Sequence, residues 1–181
     1  QINQSGLSMG ERDYYLDEDA PTQKIREAYK QYVKKLFMMT GYDATRAEQA
    51  MKAVLDIETR IAKASYSATQ QRDVEGNYHK MSYEQLLTDY PGIDWSTCLL
   101  FNGIPAVKEV SVNQPEPIHE VEKILAETSL DDLKAYMHFK VTDDATSCLS
   151  DDFRSASFDF YNRTMSGAEQ DRPRWKRAIS A

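Results

Sequence analysis

Two apolar stripes between Thr22 and Ser65 constrain the fold more than any other part of the sequence. Ile25, Tyr29, Tyr32, Val33, Leu36 and Phe37 recur at three- and four-residue steps, which places them on one side of a helix. Gly41 can close that helix in a left-handed conformation. Asp43 can cap the next one, in which Ala47, Ala50, Met51, Val54, Ile57 and Ile61 keep the same period. So short a connection makes the two helices antiparallel, with their stripes turned toward a shared core. The expected architecture is mainly α, an irregular multi-helix bundle built on this long antiparallel hairpin, with at most one short strand.

The rest of the chain reads as shorter elements packed on the hairpin. Residues 1–11 are polar and expected to be flexible, with Tyr14, Tyr15 and Leu16 the first anchored residues and Pro21-Thr22 opening the first long helix. Ser67 to Gly76 has no periodicity and reads as a connector. Ser82 and Gln85 have capping-box spacing ahead of Leu86 and Leu87, and Asp94 is placed to cap a helix carrying Trp95, Leu99 and Leu100 that Gly103 and Pro105 stop. Val107 to Val112 alternates as a strand, whose partner is expected elsewhere in an intact molecule. Pro115 and Pro117 open a helix with Ile118, Val121, Ile124 and Leu125. Ser129 with Asp132 opens another, with Leu133, Tyr136, Met137 and Val141 on its apolar face. Ser150 can cap a helix through Phe153, Ala156, Phe160 and Thr164 that Gly167 closes, and residues 172–181 read as the start of a truncated helix.

Composition removes several function classes. The 181 residues suffice for one substantial core, and a formal net charge of -7 argues against a phosphate-backbone ligand, so no nucleic acid partner is expected. No run approaches the ~18 to 20 apolar residues of a membrane-spanning helix, and the first ten residues have no signal-peptide pattern. Cys98 and Cys148 form no Cys-x-x-Cys pair and read as unpaired small core residues, with a disulfide between them as the alternative. The missing initiator Met and the helix-like ending at Ala181 lead to the expectation of a piece of a longer chain.

The residue types that carry chemistry are present without the spacing that chemistry needs. His79, His119 and His138 include no pair at the i, i+4 spacing of helical metal ligands. His119-Glu120-Val121-Glu122-Lys123 misses the zinc-protease pattern His-Glu-x-x-His because a repelling ammonium stands at the second ligand position. The Asp-Asp pairs at 131, 143 and 151 lack the third aspartate of the diphosphate-binding Asp-Asp-x-x-Asp, the fifth positions being Ala135, Ser147 and Ser155. Helix-start acids explain the pairs at 131 and 151, and a solvated face explains 143. No nucleophile sits in an elbow or a glycine-rich oxyanion loop. The basic cluster Arg172 to Arg177 around Trp175 reads as a solvated helix start. Asn3-Gln4-Ser5 and Asn162-Arg163-Thr164 fit the glycosylation pattern, one short enough to occur often by chance. No catalytic, cofactor-binding or metal residue is therefore assigned in this segment.

Four stretches taken in order carry a resemblance: Arg12-Asp13-Tyr14-Tyr15; Asp56-Ile57-Glu58-Thr59-Arg60-Ile61-Ala62; Tyr78-His79-Lys80-Met81-Ser82 with Leu86; and Arg174-Trp175-Lys176-Arg177. Together they resemble the N-terminal half of the neprilysin and endothelin-converting-enzyme family of zinc metalloendopeptidases, including bacterial PepO oligopeptidases. The resemblance runs from about Gly6 to Ala181. It implies that residues 1–181 are one helical segment of the N-terminal cap over a catalytic domain, admitting peptides to an enclosed active site and excluding folded substrates. It also implies zinc in the full-length enzyme, an extracytoplasmic location, and the catalytic domain of the same chain and peptide substrates as partners. The family's zinc motif and downstream Glu ligand lie beyond the end of this segment and its carboxylate-binding arginines before the start, so the segment is expected to be silent alone. Scarce cysteines fit a bacterial member better than a vertebrate one. Apolar surface bared by separation from the catalytic half would favour self-association. The rival reading is a self-standing acidic helical interaction module that binds a partner helix or peptide in a groove. A third, a helical diphosphate-utilising enzyme, is disfavoured by the broken aspartate motifs.

Overall fold

The computed structural model describes residues 1–104, 107–173, 175, 176 and 179. In chain order the elements are α1 (Asp13–Leu16), α2 (Ala20–Met39), α3 (Ala44–Ala64), α4 (Ala68–Gln71), β1 (Lys80–Ser82), α5 (Tyr83–Asp89), α6 (Trp95–Phe101), β2 (Glu109–Ser111), α7 (Pro115–Glu127), α8 (Leu130–Ala145) and α9 (Asp151–Ser157). A π-helical stretch, Phe158–Thr164, continues α9. The chain is mainly α-helical, as expected. The chain divides into two compact units, Gln1–Asp17 with Asp56–Leu133, and Glu18–Leu55 with Lys134–Ala181.

The unit that starts at Glu18 is built on the hairpin turn. Asp19 caps α2 by accepting from the Thr22 N–H at 3.0 Å. Gly41, at φ +96°, reverses the chain, and Asp43 caps α3 through the Arg46 N–H at 2.9 Å. Lys34, near the end of α2, pairs with Glu48, near the start of α3, at 2.8 Å, as antiparallel neighbours do. The α2 stripe is buried at Tyr29, Tyr32, Val33, Leu36 and Phe37. Phe160 lies against it, stacked on Tyr32 with centroids 5.1 Å apart, and the Phe139 ring meets Tyr29 edge-on at 6.1 Å.

On α8 the buried face is Ala135, Phe139 and Thr142. Met137 and Val141, assigned to the core from spacing, are 58% and 63% exposed. Apolar side chains stand on more than one side of α8, so periodicity does not select the inner face; the aromatic contacts of Phe139 do. Asp143 is also no solvated residue. Half-buried, it accepts from the hydroxyls of Tyr32 at 2.5 Å and Tyr161 at 2.7 Å. Burial pushes its carboxyl above the usual range, against the pull of both hydroxyls.

The unit that starts at Gln1 has a core of Leu86, Tyr90, Trp95, Val112 and Ile118. Ile2, Met81, Tyr83, Ile93 and Val110 pack on it. The strand read between Val107 and Val112 finds its partner inside this chain: β1 and β2 pair antiparallel, with Met81 opposite Val110. Three-residue β1 runs directly into α5 and is too short to show alternation. Ile2 extends β2 as a parallel bridge to Val112, and Met9 is buried, so the lead-in expected to be flexible is anchored well before Tyr14. Gln4 explains part of this. Its backbone N–H donates to Gln114, whose amide donates to Asn77 at 2.9 Å, while its side chain exchanges hydrogen bonds with the Tyr66 backbone. The expected connector after Ser67 holds α4, closed by a full capping box between Ser67 and Gln70. Ser82 accepts from the Gln85 N–H, and Ser129 from that of Asp132, as their spacing predicts. Both cysteines are free and exposed rather than core residues. Pro105 and the helix start expected at 172–181, with Arg174 and Arg177, fall wholly or largely outside the described residues.

Candidate functional site

The apolar period of α3 contains one acidic member. Glu58 stands four residues after Val54 and three before Ile61, and it is fully buried. A carboxylate so placed must be hydrogen-bonded. The Ser8 hydroxyl donates to its Oε1 at 2.6 Å and the Tyr15 hydroxyl to its Oε2 at 2.8 Å. The Tyr15 oxygen in turn accepts from the Met9 N–H at 3.1 Å. Arg12, from the same turn as Tyr15, donates to the Ser65 carbonyl at 2.7 Å, where α3 has run out of intrahelical donors. Two stretches separated by over forty residues of sequence thus meet at one buried carboxylate. Spacing alone could have singled out Glu58, since an acid inside an apolar stripe demands a partner.

The other stretches also act as fasteners. Arg60 holds Glu120 through Nε and Glu127 through Nη2, both at 2.8 Å, so α3 is tied to α7 at two points. These contacts raise the guanidinium pKa further, Glu120 contributing most. The Tyr66 hydroxyl donates to Glu116 at 2.5 Å, which pushes the phenol up to about 12. His79 lies on the strand edge, its Nδ1 3.0 Å from the Val112 carbonyl. Asp94 caps α6 through the Thr97 N–H and also accepts the Thr97 and Ser96 hydroxyls, which hold its carboxyl down at about 2.

The residue types that zinc would need do not converge. His119 stacks on Tyr90 at 4.6 Å and contacts Glu122, while Glu120 is engaged by Arg60. His138 meets the Thr40 hydroxyl at 2.9 Å and stacks on Phe37. Among the described residues no three His, Cys, Asp or Glu side chains are grouped to hold a metal ion. None of the described helices is long and apolar enough to cross a membrane. What these residues do chemically is hold helices to one another through hydrogen-bonded charges.

The profile of Peptidase family M13 matches residues 1–181. Rat endothelin-converting enzyme 1 is 29% identical over 189 residues, covering 99% of this chain and 24% of the relative. Mouse endothelin-converting enzyme-like 1 is 30% identical over 161 residues, 86% of this chain and 20% of the relative. The chain therefore spans about a quarter of the length of the curated relatives it matches. Among solved structures, the Mycobacterium tuberculosis zinc metalloprotease Zmp1 in its open state superimposes with a TM-score of 0.92 at 26% identity, over 98% of this chain and 28% of that one. The same protease in complex with an inhibitor also gives 0.92, over 27% of its chain. With its whole length matched by the family profile and its fold shared with a family protease, the chain belongs to Peptidase family M13 as its N-terminal region.

Proposed function

We propose that residues 1–181 form one segment of the helical cap of a zinc metalloendopeptidase, limiting access of peptides to a reaction centre carried elsewhere in the same protein. The observation that carries the reading is the pair of coverages: 98% of this chain superimposes on a zinc metalloprotease, yet takes up only 28% of it. The work of such a segment is steric. An enclosed cavity discriminates by size, and packed helices hold that limit because protein interiors are close-packed and yield little. The buried Glu58 cluster and the paired arms of Arg60 supply the stiffness, keeping α3 in register with the lead-in and with α7.

In this reading the parent is bacterial and extracytoplasmic, its partners are its own catalytic domain and peptide substrates, and zinc belongs to that domain. The segment is silent by itself. The test is size discrimination by the intact protein: an unstructured peptide is cleaved, whereas the same sequence displayed in a tightly folded carrier is cleaved at least about a hundredfold more slowly. Equal kcat/KM on the two substrates would remove the reason for a cap.

A further inference from the structure

In the unit that starts at Glu18, α9 widens without a break into the π-helical stretch Phe158–Thr164. Backbone bonds that reach five residues back are rare beside those of the α-helix, so other contacts must favour this register. Several do. The hydroxyls of Thr164 and Ser166 donate to the carbonyls of Asp159 and Tyr161, each five residues back, and Arg163 pairs with Asp159. The Met165 N–H donates to the Phe160 carbonyl at 3.0 Å, so the wide turn continues past the end of the stretch. Two contacts tie it to other helices. Phe160 stacks on Tyr32 of α2, and the Tyr161 hydroxyl meets Asp143 of α8 at 2.7 Å.

Asp143 can hold Tyr161 without carrying a charge. As an acid it accepts from Tyr161 at Oδ2, while its Oδ1–H donates to the Tyr32 oxygen across 2.5 Å and Tyr32 turns its own proton to the Ser157 hydroxyl, with which it is hydrogen-bonded. Every group is then satisfied. The carboxylate keeps both tyrosine donors but must hold a charge in a half-buried space. Burial disfavours that charge more than the hydroxyls favour it, and the charged neighbours on α8, Lys140 and Asp144, act in opposite senses. From α2 and the π-helical stretch the groups facing it are the phenols Tyr32 and Tyr161, and burial with the adjoining Asp143 keeps Tyr32 neutral. An ionised Asp143 gains by turning to water, which releases Tyr161. Without that hold the backbone can take the commoner α-helical bonds. We propose that Phe158–Thr164 is a two-register switch: a proton on Asp143 keeps it π-helical, and loss of that proton lets it close to an α-helix, turning the residues that follow by about 100°.

The test is methyl NMR of the intact protein labelled at methionine. Met165 directly follows the switch, and Met165→Leu identifies its signal. A proton whose affinity differs about tenfold between the registers shifts their ratio about tenfold, so the Met165 signal should report at least that change in population between about pH 5 and about pH 8. Asp143→Asn supplies one acceptor and one donor without charge and should hold the signal at its acid limit throughout. Tyr161→Phe keeps the ring and loses the hydroxyl, and should hold it at the alkaline limit; circular dichroism checks that both variants fold. The inference is overturned if Met165 does not titrate, if it titrates as fully in Asp143→Asn, or if Tyr161→Phe still reaches the acid limit at low pH.

Discussion

Removing one oxygen from Tyr15 tests whether the buried cluster is what fixes the lead-in to α3. In Tyr15→Phe, Glu58 loses the donor at 2.8 Å and the Met9 N–H loses its acceptor at 3.1 Å, with the ring volume unchanged. A hydrogen bond contributes about 0.5–1.5 kcal/mol net, and orphaning a buried amide costs about 1–3 kcal/mol. Partial relaxation brings the expected loss to about 3 kcal/mol. For a chain of this length that lowers Tm by roughly 6–12 °C. The assay is urea and thermal unfolding by circular dichroism, with Tyr78→Phe as a control held to a change of about 0.5 kcal/mol or less. Glu58→Gln replaces one carboxyl oxygen by an amide group of the same shape, and the double variant should lose less than the sum of the two single changes. A Tyr15→Phe loss under about 0.5 kcal/mol, or full additivity, would refute the coupling.

Three further outcomes follow from named contacts. The Asp94 carboxyl is held at about 2 by Thr97 and Ser96, so its cap contributes above the ordinary value of 3.8 and is lost as pH falls toward 2; carboxyl NMR should show that midpoint, and Thr97→Val should raise it. Asp143 is displaced upward by burial, so its buried charge costs stability as pH rises through its folded-state value. Tyr32→Phe removes a stabilising donor and should move Asp143 higher still, whereas a downward move would contradict the burial argument. Leu100 and Phe101, 76% and 86% exposed, should cost no more than about 0.5 kcal/mol when changed to Ser, while lowering self-association of the isolated chain in light scattering. A parent chain that stays strictly monomeric at high concentration would contradict that.

Local rules read several helix ends well, though Ser150, placed to cap α9, makes no side-chain cap hydrogen bond. Gly41 and Asp43 at the hairpin, Ser82 before α5 and Asp94 before α6 all behave as their types and positions require. The reading fails where partners are distant. Gln4 is polar and looks unanchored, yet its contacts lie 62 and 110 residues away. The partner of β2 is hidden because β1 is only three residues long, and the inner face of α8 is set by the rings around Phe139 rather than by the period of α8 itself. Of the fastening cluster, the members Arg12, Tyr15 and Glu58 lay inside stretches that carried the family resemblance. Their meeting at one carboxylate is tertiary, and no spacing rule predicts it.

The central claim is that this segment is a wall and that bond cleavage belongs to another part of the same protein. The most direct measurement sets purified residues 1–181, supplied with zinc, beside the intact protein on one unstructured peptide. The account predicts chelator-sensitive cleavage by the intact protein and none above background by the segment. Reproducible, chelator-sensitive cleavage by the segment alone would contradict it.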